Sequence, residues 1–141
     1  MSARKAVKVT VGTHEFEFVP PDVLRFKMRG AMLEEDAKAY LDFIHVHAEE
    51  TGGLLYAAYE LSQFTRIDEK ARNRTTKVEK PYPFAGLVIV GASFSVRALA
   101  AMIIRAAKLI KPESVNFPHK FVATMAEAEA WIDELREKAA T

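Results

Sequence analysis

The sequence contains no cysteine and carries almost no net charge. None of the 141 residues is cysteine, which excludes disulfides, thiolate metal sites and a cysteine nucleophile. The formal net charge is +1 at pH 7, so the chain as a whole creates no field that would attract nucleic acid. We therefore expect no nucleic-acid partner.

A long apolar segment is also absent. Charged residues interrupt every hydrophobic stretch well before the roughly 18 residues that a transmembrane helix needs. The first residues, 1–5, are basic, but a strand pattern follows them in place of the apolar region of a signal peptide. These features favour a cytoplasmic location.

Motifs of catalysis and metal binding are missing as well. The sequence shows no Ser–His–Asp order, no Gly-rich phosphate loop and no paired-carboxylate motif. His45 and His47 stand two residues apart, so on a helix they point about 200° away from each other and cannot share an ion. We expect no enzyme activity, no cofactor and no metal site.

The first third of the chain has the two-residue period of strands with one solvated face. Valines alternate with polar residues over 7–11, and phenylalanines alternate with glutamates over 15–18. Gly12 and Thr13 lie between these segments, which predicts two half-buried strands joined by a tight turn. A third strand is predicted over Val23–Met28, so we expect an antiparallel edge here.

The rest of the chain alternates helices with apolar strands. A helical stripe from Met32 ends at Gly52, and all-apolar runs at Leu54–Tyr59 and Ala85–Val90 are typical of central parallel strands. Helices are also predicted from Asp68 to about Glu79, over 96–110, and from a capping box at Thr124. The sequence predicts one α/β domain, 1–141. Its mixed sheet has an antiparallel N-terminal edge, parallel central strands and about four flanking helices.

Residues 53–70 resemble the signature loop of STAS domains, the anti-sigma-factor-antagonist family. The resemblance rests on Glu60-Leu61-Ser62 and on Ile67-Asp68 at the start of a helix. In that family a kinase phosphorylates a serine directly after the Asp, but Glu69 and Lys70 occupy those places here. The order of elements agrees with the family from about Val23 to Leu135. The resemblance implies a non-enzymatic regulatory module that binds proteins without a phosphorylation switch.

The segment Ser62–Lys77 is the predicted docking surface. Asp68 fits a helix cap, with partner binding as the alternative role. Basic residues cluster around it, and an acidic protein partner is their expected functional use, with solvated helix surface as the alternative. The predicted partner-binding residues are Ser62, Asp68, Glu69, Arg72 and Arg74.

Helix 96–110 carries more apolar residues than one sheet-facing stripe requires. Met102, Ala106 and Leu109 extend the apolar surface, and four basic residues occupy the remaining arc. Three interpretations of this helix remain: it is wedged between the sheet and a neighbouring helix, it forms a dimer or partner face, or it contacts lipid head groups. Contact with a membrane is the interpretation that is not favoured. The N-terminal hairpin is another candidate edge for a homodimer. A second hypothesis places a small apolar or lipid-like ligand between this helix and the sheet, lined by Phe94, Met102, Phe117 and Phe121.

Overall fold

A six-stranded mixed sheet forms the centre of the molecule, and the computed structural model describes residues 4–140. Strands β1–β3 are antiparallel and β3–β6 are parallel, with the strands in sequence order across the sheet. The strands are β1 (Val7–Val11), β2 (His14–Val19), β3 (Val23–Met32), β4 (Leu55–Ile67), β5 (Phe84–Val90) and β6 (His119–Val122). The helices are α1 (Glu34–Thr51), α2 (Glu69–Thr76), α3 (Phe94–Ile110) and α4 (Met125–Ala140), with a 3-10 turn at Pro112–Val115. The predicted fold class is confirmed.

The N-terminal hairpin forms where the alternating pattern predicts it, but β1 is more exposed than expected. Gly12 has φ +59° at the first position of the two-residue turn, as a type II′ turn requires. Val7 and Val9 are 37% and 36% exposed, whereas Phe16 of β2 is completely buried. β1 is more exposed because it is the outer strand of the sheet, whereas α1 packs on β2 and β3.

Strand β4 is longer than the sequence indicates. The apolar run predicts a strand that ends at Tyr59 and continues into a charged turn, but β4 extends to Ile67. β3 is extended to Met32 in the same way, and the two strands stay in parallel register through the pair Met32↔Ile67, with two irregularities. Pairing between these ends therefore holds the polar half of β4 in strand conformation.

The helix ends follow the capping rules. Gly52 closes α1 in the left-handed conformation at φ 75°. The Asp68 carboxylate accepts the backbone N–H of Glu69 at 2.9 Å, and the hydroxyl of Ser93 accepts that of Val96 at 3.3 Å. At α4 the hydroxyl of Thr124 accepts the N–H of Glu127, so the cap predicted there is confirmed. α2 is one turn shorter than predicted.

The two faces of the sheet carry cores of different size. α1, α2 and α3 cover the larger core, whose fully buried side chains include Phe16, Phe18 and Phe26. α4 alone covers the smaller core and inserts Ala128 and Ile132 against β5. On that face Gly86 lets α4 approach closely, since a Cβ added there would lie 2.5 Å from Leu135 Cδ1.

We expect Gly86→Ala to lower the free energy of unfolding by about 1 kcal/mol, because the added methyl group must displace the end of the Leu135 side chain and also meets the Trp131 ring at 3.4 Å. The matched control is Gly53→Ala, since a Cβ there meets nothing within 4 Å. Gly53→Ala should leave the free energy of unfolding unchanged or raise it by less than about 1 kcal/mol. Urea denaturation measures both, and equal changes in the two variants would contradict the close approach of α4.

Candidate functional site

A cavity lies between α3 and the sheet. Its volume is about 140 Å³, and its wall is almost entirely apolar. Five of the six residues at core spacing on α3 line this space, namely Val96, Leu99, Ala100, Ile103 and Ala107, whereas the sixth, Ile110, is 51% exposed. Leu99, Ala100 and Ile103 are only partly buried. From the sheet and its loops the wall includes Met28, Leu61, Leu87 and Phe117. The sequence therefore places the correct face of α3 inward, but this face does not fill the space beneath it.

Three tyrosines and Thr75 bring hydroxyl groups to the cavity wall. The hydroxyl groups of Tyr40 on α1 and Tyr59 on β4 are hydrogen-bonded to each other. The hydroxyl of Tyr82 donates to the carbonyl oxygen of Thr75 at 2.7 Å, which ties the end of α2 to the chain before β5. Burial is the main cause that raises the pKa of Tyr40, Tyr59 and Tyr82 well above the usual value. The lining residues of the cavity therefore carry no charge.

Only one of the four aromatic and methionine residues predicted to line a ligand site lies on this wall. Phe117 lines the cavity. Phe94 is 89% exposed at the first position of α3, and Met102 is 45% exposed. Phe121 lies beneath the guanidinium of Arg97, 5.7 Å from it, and is not part of the wall. The sequence pattern cannot separate these residues, because each is large and apolar and lies near α3 in the chain.

The predicted docking surface, Ser62–Lys77, is formed by the polar half of β4 and by α2, and we refer to it as the β4–α2 surface. Asp68 begins α2 as predicted, and its own backbone N–H donates to the carbonyl of Met32 at 2.8 Å. Glu69 follows in the first turn and is exposed. A carboxylate at this place is favourable because the N-terminus of a helix carries partial positive charge.

The five residues predicted for partner binding do not form a single cluster. Ser62 is exposed, its N–H donates to the carboxylate of Glu60 at 2.8 Å, and it lies beside Gly91 after β5. Arg74 lies at the opposite side of the surface, where its Nε donates to Glu34 of α1 at 3.1 Å. Arg72 lies between these two residues in the sequence and is half-buried. The surface thus has two ends, one next to β5 and one next to α1.

His14 is a buried residue that the sequence does not single out. Its Nδ1 accepts the backbone N–H of Arg29 at 3.0 Å, and its Nε2 lies 3.1 Å from the carbonyl oxygen of Ala31. Both ring nitrogens therefore fix the end of β3, which is a structural role. Within residues 4–140 no group of three or more His, Asp or Glu side chains is arranged to hold a metal ion.

In the described part of the chain, no helix has the length and apolar character to cross a bilayer.

The buried tyrosines predict loss of stability at high pH. In the unfolded chain tyrosine loses its proton near pH about 10, whereas the folded protein keeps these three protonated. Above that pH the unfolded state binds fewer protons, so the free energy of unfolding falls as the pH rises. We expect a tyrosinate absorbance titration in which these groups ionise together with loss of circular dichroism. Ionisation of more than one of the four tyrosines while the circular dichroism is unchanged would contradict the burial of the Tyr40, Tyr59 and Tyr82 hydroxyl groups.

Comparison with known proteins identifies the fold. No protein-family model matches the chain, and no curated protein matches it significantly. One solved structure similar to this chain is an uncharacterised protein of the DUF3478 family from Shewanella loihica PV-4, described as having a SpoIIAA-like fold. The two are 17% identical in sequence with a TM-score of 0.58, and the match covers 93% of this chain and 98% of that one. The anti-sigma factor antagonist SpoIIAA in its unphosphorylated form is similar at 14% identity and TM-score 0.53, covering 88% and 98%. The chain therefore has the STAS-like fold of SpoIIAA, as the residues around Asp68 predicted.

Proposed function

We propose that this protein is a non-enzymatic regulatory module that binds a protein partner through the β4–α2 surface. The observation that carries the proposal is the position of that surface. β4 extends past the neighbouring strand β5, which pairs only up to Glu60 of β4, and starts α2 at Asp68. The surface is thus presented at the end of the sheet, within a fold shared with an anti-sigma factor antagonist.

The charge of the surface supports an acidic partner. Between residues 62 and 77 the chain has five basic residues and two acidic ones. The side chain of Arg74 is 45% exposed although it pairs with Glu34. Exposed ion pairs contribute little to stability, so Arg74 can exchange its partner at low cost. Complementary charge of this kind sets the rate and specificity of association more than the total affinity.

The first turn of α2 supports a module without a switch. Glu69 stands directly after the capping Asp68, where the resemblance to STAS domains places a phosphorylated serine. A carboxylate carries one negative charge, compared with about 1.5 to 2 for a phosphate at pH 7, and it cannot be removed. We therefore propose partner binding that is constitutive.

Charge reversal tests the surface. We expect Arg72→Glu/Arg74→Glu to weaken binding to an acidic partner by about tenfold or more, because like charges then face each other across the interface. The measurement is quantitative affinity capture from a lysate of cells that produce the protein, followed by titration of the captured partner.

The control variant is Arg105→Glu/Lys108→Glu, which makes the same change of charge at exposed positions of α3. It should bind the partner as the wild type does. A partner that binds the Arg72/Arg74 variant equally well would exclude the β4–α2 surface. If the wild-type chain captures no specific protein, the proposal that it is a protein-binding module is contradicted.

The cavity supports a second candidate function, the binding of a small apolar ligand. A cavity of about 150 Å³ in another protein stays dry and binds benzene, and the present volume of about 140 Å³ is comparable. The volume is enough for one six-membered ring. The tyrosine hydroxyls would accept or donate one hydrogen bond at one end of such a ligand.

Benzene is the probe for this candidate. We expect saturating benzene to raise the melting temperature by about 2–4 °C, because it binds only the folded state. Ala100→Leu places a larger side chain on the cavity wall and should remove the shift, whereas Ala98→Leu on the exposed side of the same helix should retain it. An unchanged melting temperature, or equal shifts in both variants, would exclude the cavity as the site.

A further inference from the structure

The outer edge of β1 is an open row of backbone hydrogen-bonding groups. Among residues 4–140 no strand pairs with that edge, because β1 is the first strand of the sheet and pairs only with β2. The five residues of β1 are exposed or half-buried and contain neither proline nor glycine. Edges of this kind are templates for pairing with another strand unless a protein protects them.

The hairpin determines which groups face outward. Val11 and His14 close a two-residue turn, so they exchange backbone hydrogen bonds with each other. Along an antiparallel pair such residues alternate with residues whose N–H and C=O groups point away from the partner strand. Lys8 and Thr10 are the residues whose N–H and C=O groups point outward.

The sequence of β1 allows a second copy of the chain to pair with this row in a register centred on Val9. The segment Val7–Val11 reads Val-Lys-Val-Thr-Val, which is nearly the same in both directions. If two copies pair antiparallel about a two-fold axis at Val9, each Lys8 lies opposite a Thr10, and these two residues exchange both hydrogen bonds. Each Val7 then lies opposite a Val11, and Val9 packs against its own copy.

The charges on the open face agree with this register. Across β1–β3 the row through Lys8 contains Glu17 and Arg25, and the row through Thr10 contains Glu15 and Lys27. Joining the two rows at the axis places Lys8 between Glu17 and the neutral Thr10 of the other copy. No like charges lie directly opposite each other; the two Lys8 residues are diagonal neighbours roughly 7–8 Å apart, and each is paired with Glu17 on its other side. Pairing centred on Lys8 would instead place two lysines directly opposite each other.

We propose that β1 is a self-association edge at which two copies of this chain form one continuous twelve-stranded sheet. The interaction is independent of the β4–α2 surface and of the cavity, because β1 is separated from β4 by two strands. The partner is a second copy of this chain.

Cross-linking through an introduced thiol tests the register, since the chain has no cysteine of its own. At the axis the two Val9 residues form a non-hydrogen-bonded pair with Cα atoms about 4.5 Å apart, within the range of a disulfide. With oxidised glutathione as the oxidant, Val9→Cys should form a covalent dimer about ten times faster or more than a variant whose thiols lie apart.

The matched control is Val7→Cys, on the same strand and face and with almost the same exposure, 37% against 36%. In the proposed register the two Val7 residues are four positions apart, which is roughly 14 Å along the strands and too far for a disulfide. Equal rates of dimer formation in the two variants would overturn the register.

Sedimentation without oxidant tests the association itself. We expect the wild-type chain to sediment as a dimer with increasing concentration. Val9→Lys should remain monomeric because two lysines would meet at the axis, whereas Val9→Thr should still form the dimer. A wild-type chain that stays monomeric at its highest soluble concentration, or a dimer unaffected by Val9→Lys, would overturn the proposal.

Discussion

The parallel ladder between β3 and β4 is the interaction on which the rest of the structure depends. β3 pairs antiparallel with β2 on one side and parallel with β4 on the other, so it joins the hairpin to the parallel half of the sheet. The ladder continues to Met32 and Ile67, and the N–H of Asp68 then donates to the carbonyl of Met32. This bond fixes the start of α2 next to the start of α1. The β4–α2 surface and one wall of the cavity are both consequences of that arrangement.

Much of this fold follows from local sequence patterns, because local patterns report burial and chain reversal. The alternation of valine and phenylalanine with charged residues predicts the hairpin, and Gly52, Asp68 and Thr124 mark helix ends that the structure confirms. The second half of β4 could not be predicted in this way. Residues 60–67 are mixed in polarity and become a strand only because β3 offers them a ladder, which is a contact between segments far apart in sequence.

The cavity is a second feature that no local pattern indicates. Tyr40, Tyr59 and Tyr82 come from a helix, a strand and a loop, and no pattern in the sequence links these three positions. Their hydroxyl groups are brought together by tertiary packing: Tyr40 of α1 is hydrogen-bonded to Tyr59 of β4, and Tyr82 reaches them from the loop before β5. The unfilled volume depends on how far α3 stands from the sheet, which is set by tertiary packing and not by its apolar stripe. The sequence therefore predicts which face of α3 is inward, but not the space beneath it.

The two candidate functions share part of their structure. Phe64, Ile67 and Thr75 line the cavity from the inner side of β4 and α2, while Arg72 and Arg74 lie on the same two turns of α2. Thr75 and the two arginines belong to the same eight-residue helix, so a ligand that shifted α2 as a whole would shift these arginines with it. Ligand and partner then influence each other only to the extent that the ligand binds one position of α2 more tightly than another.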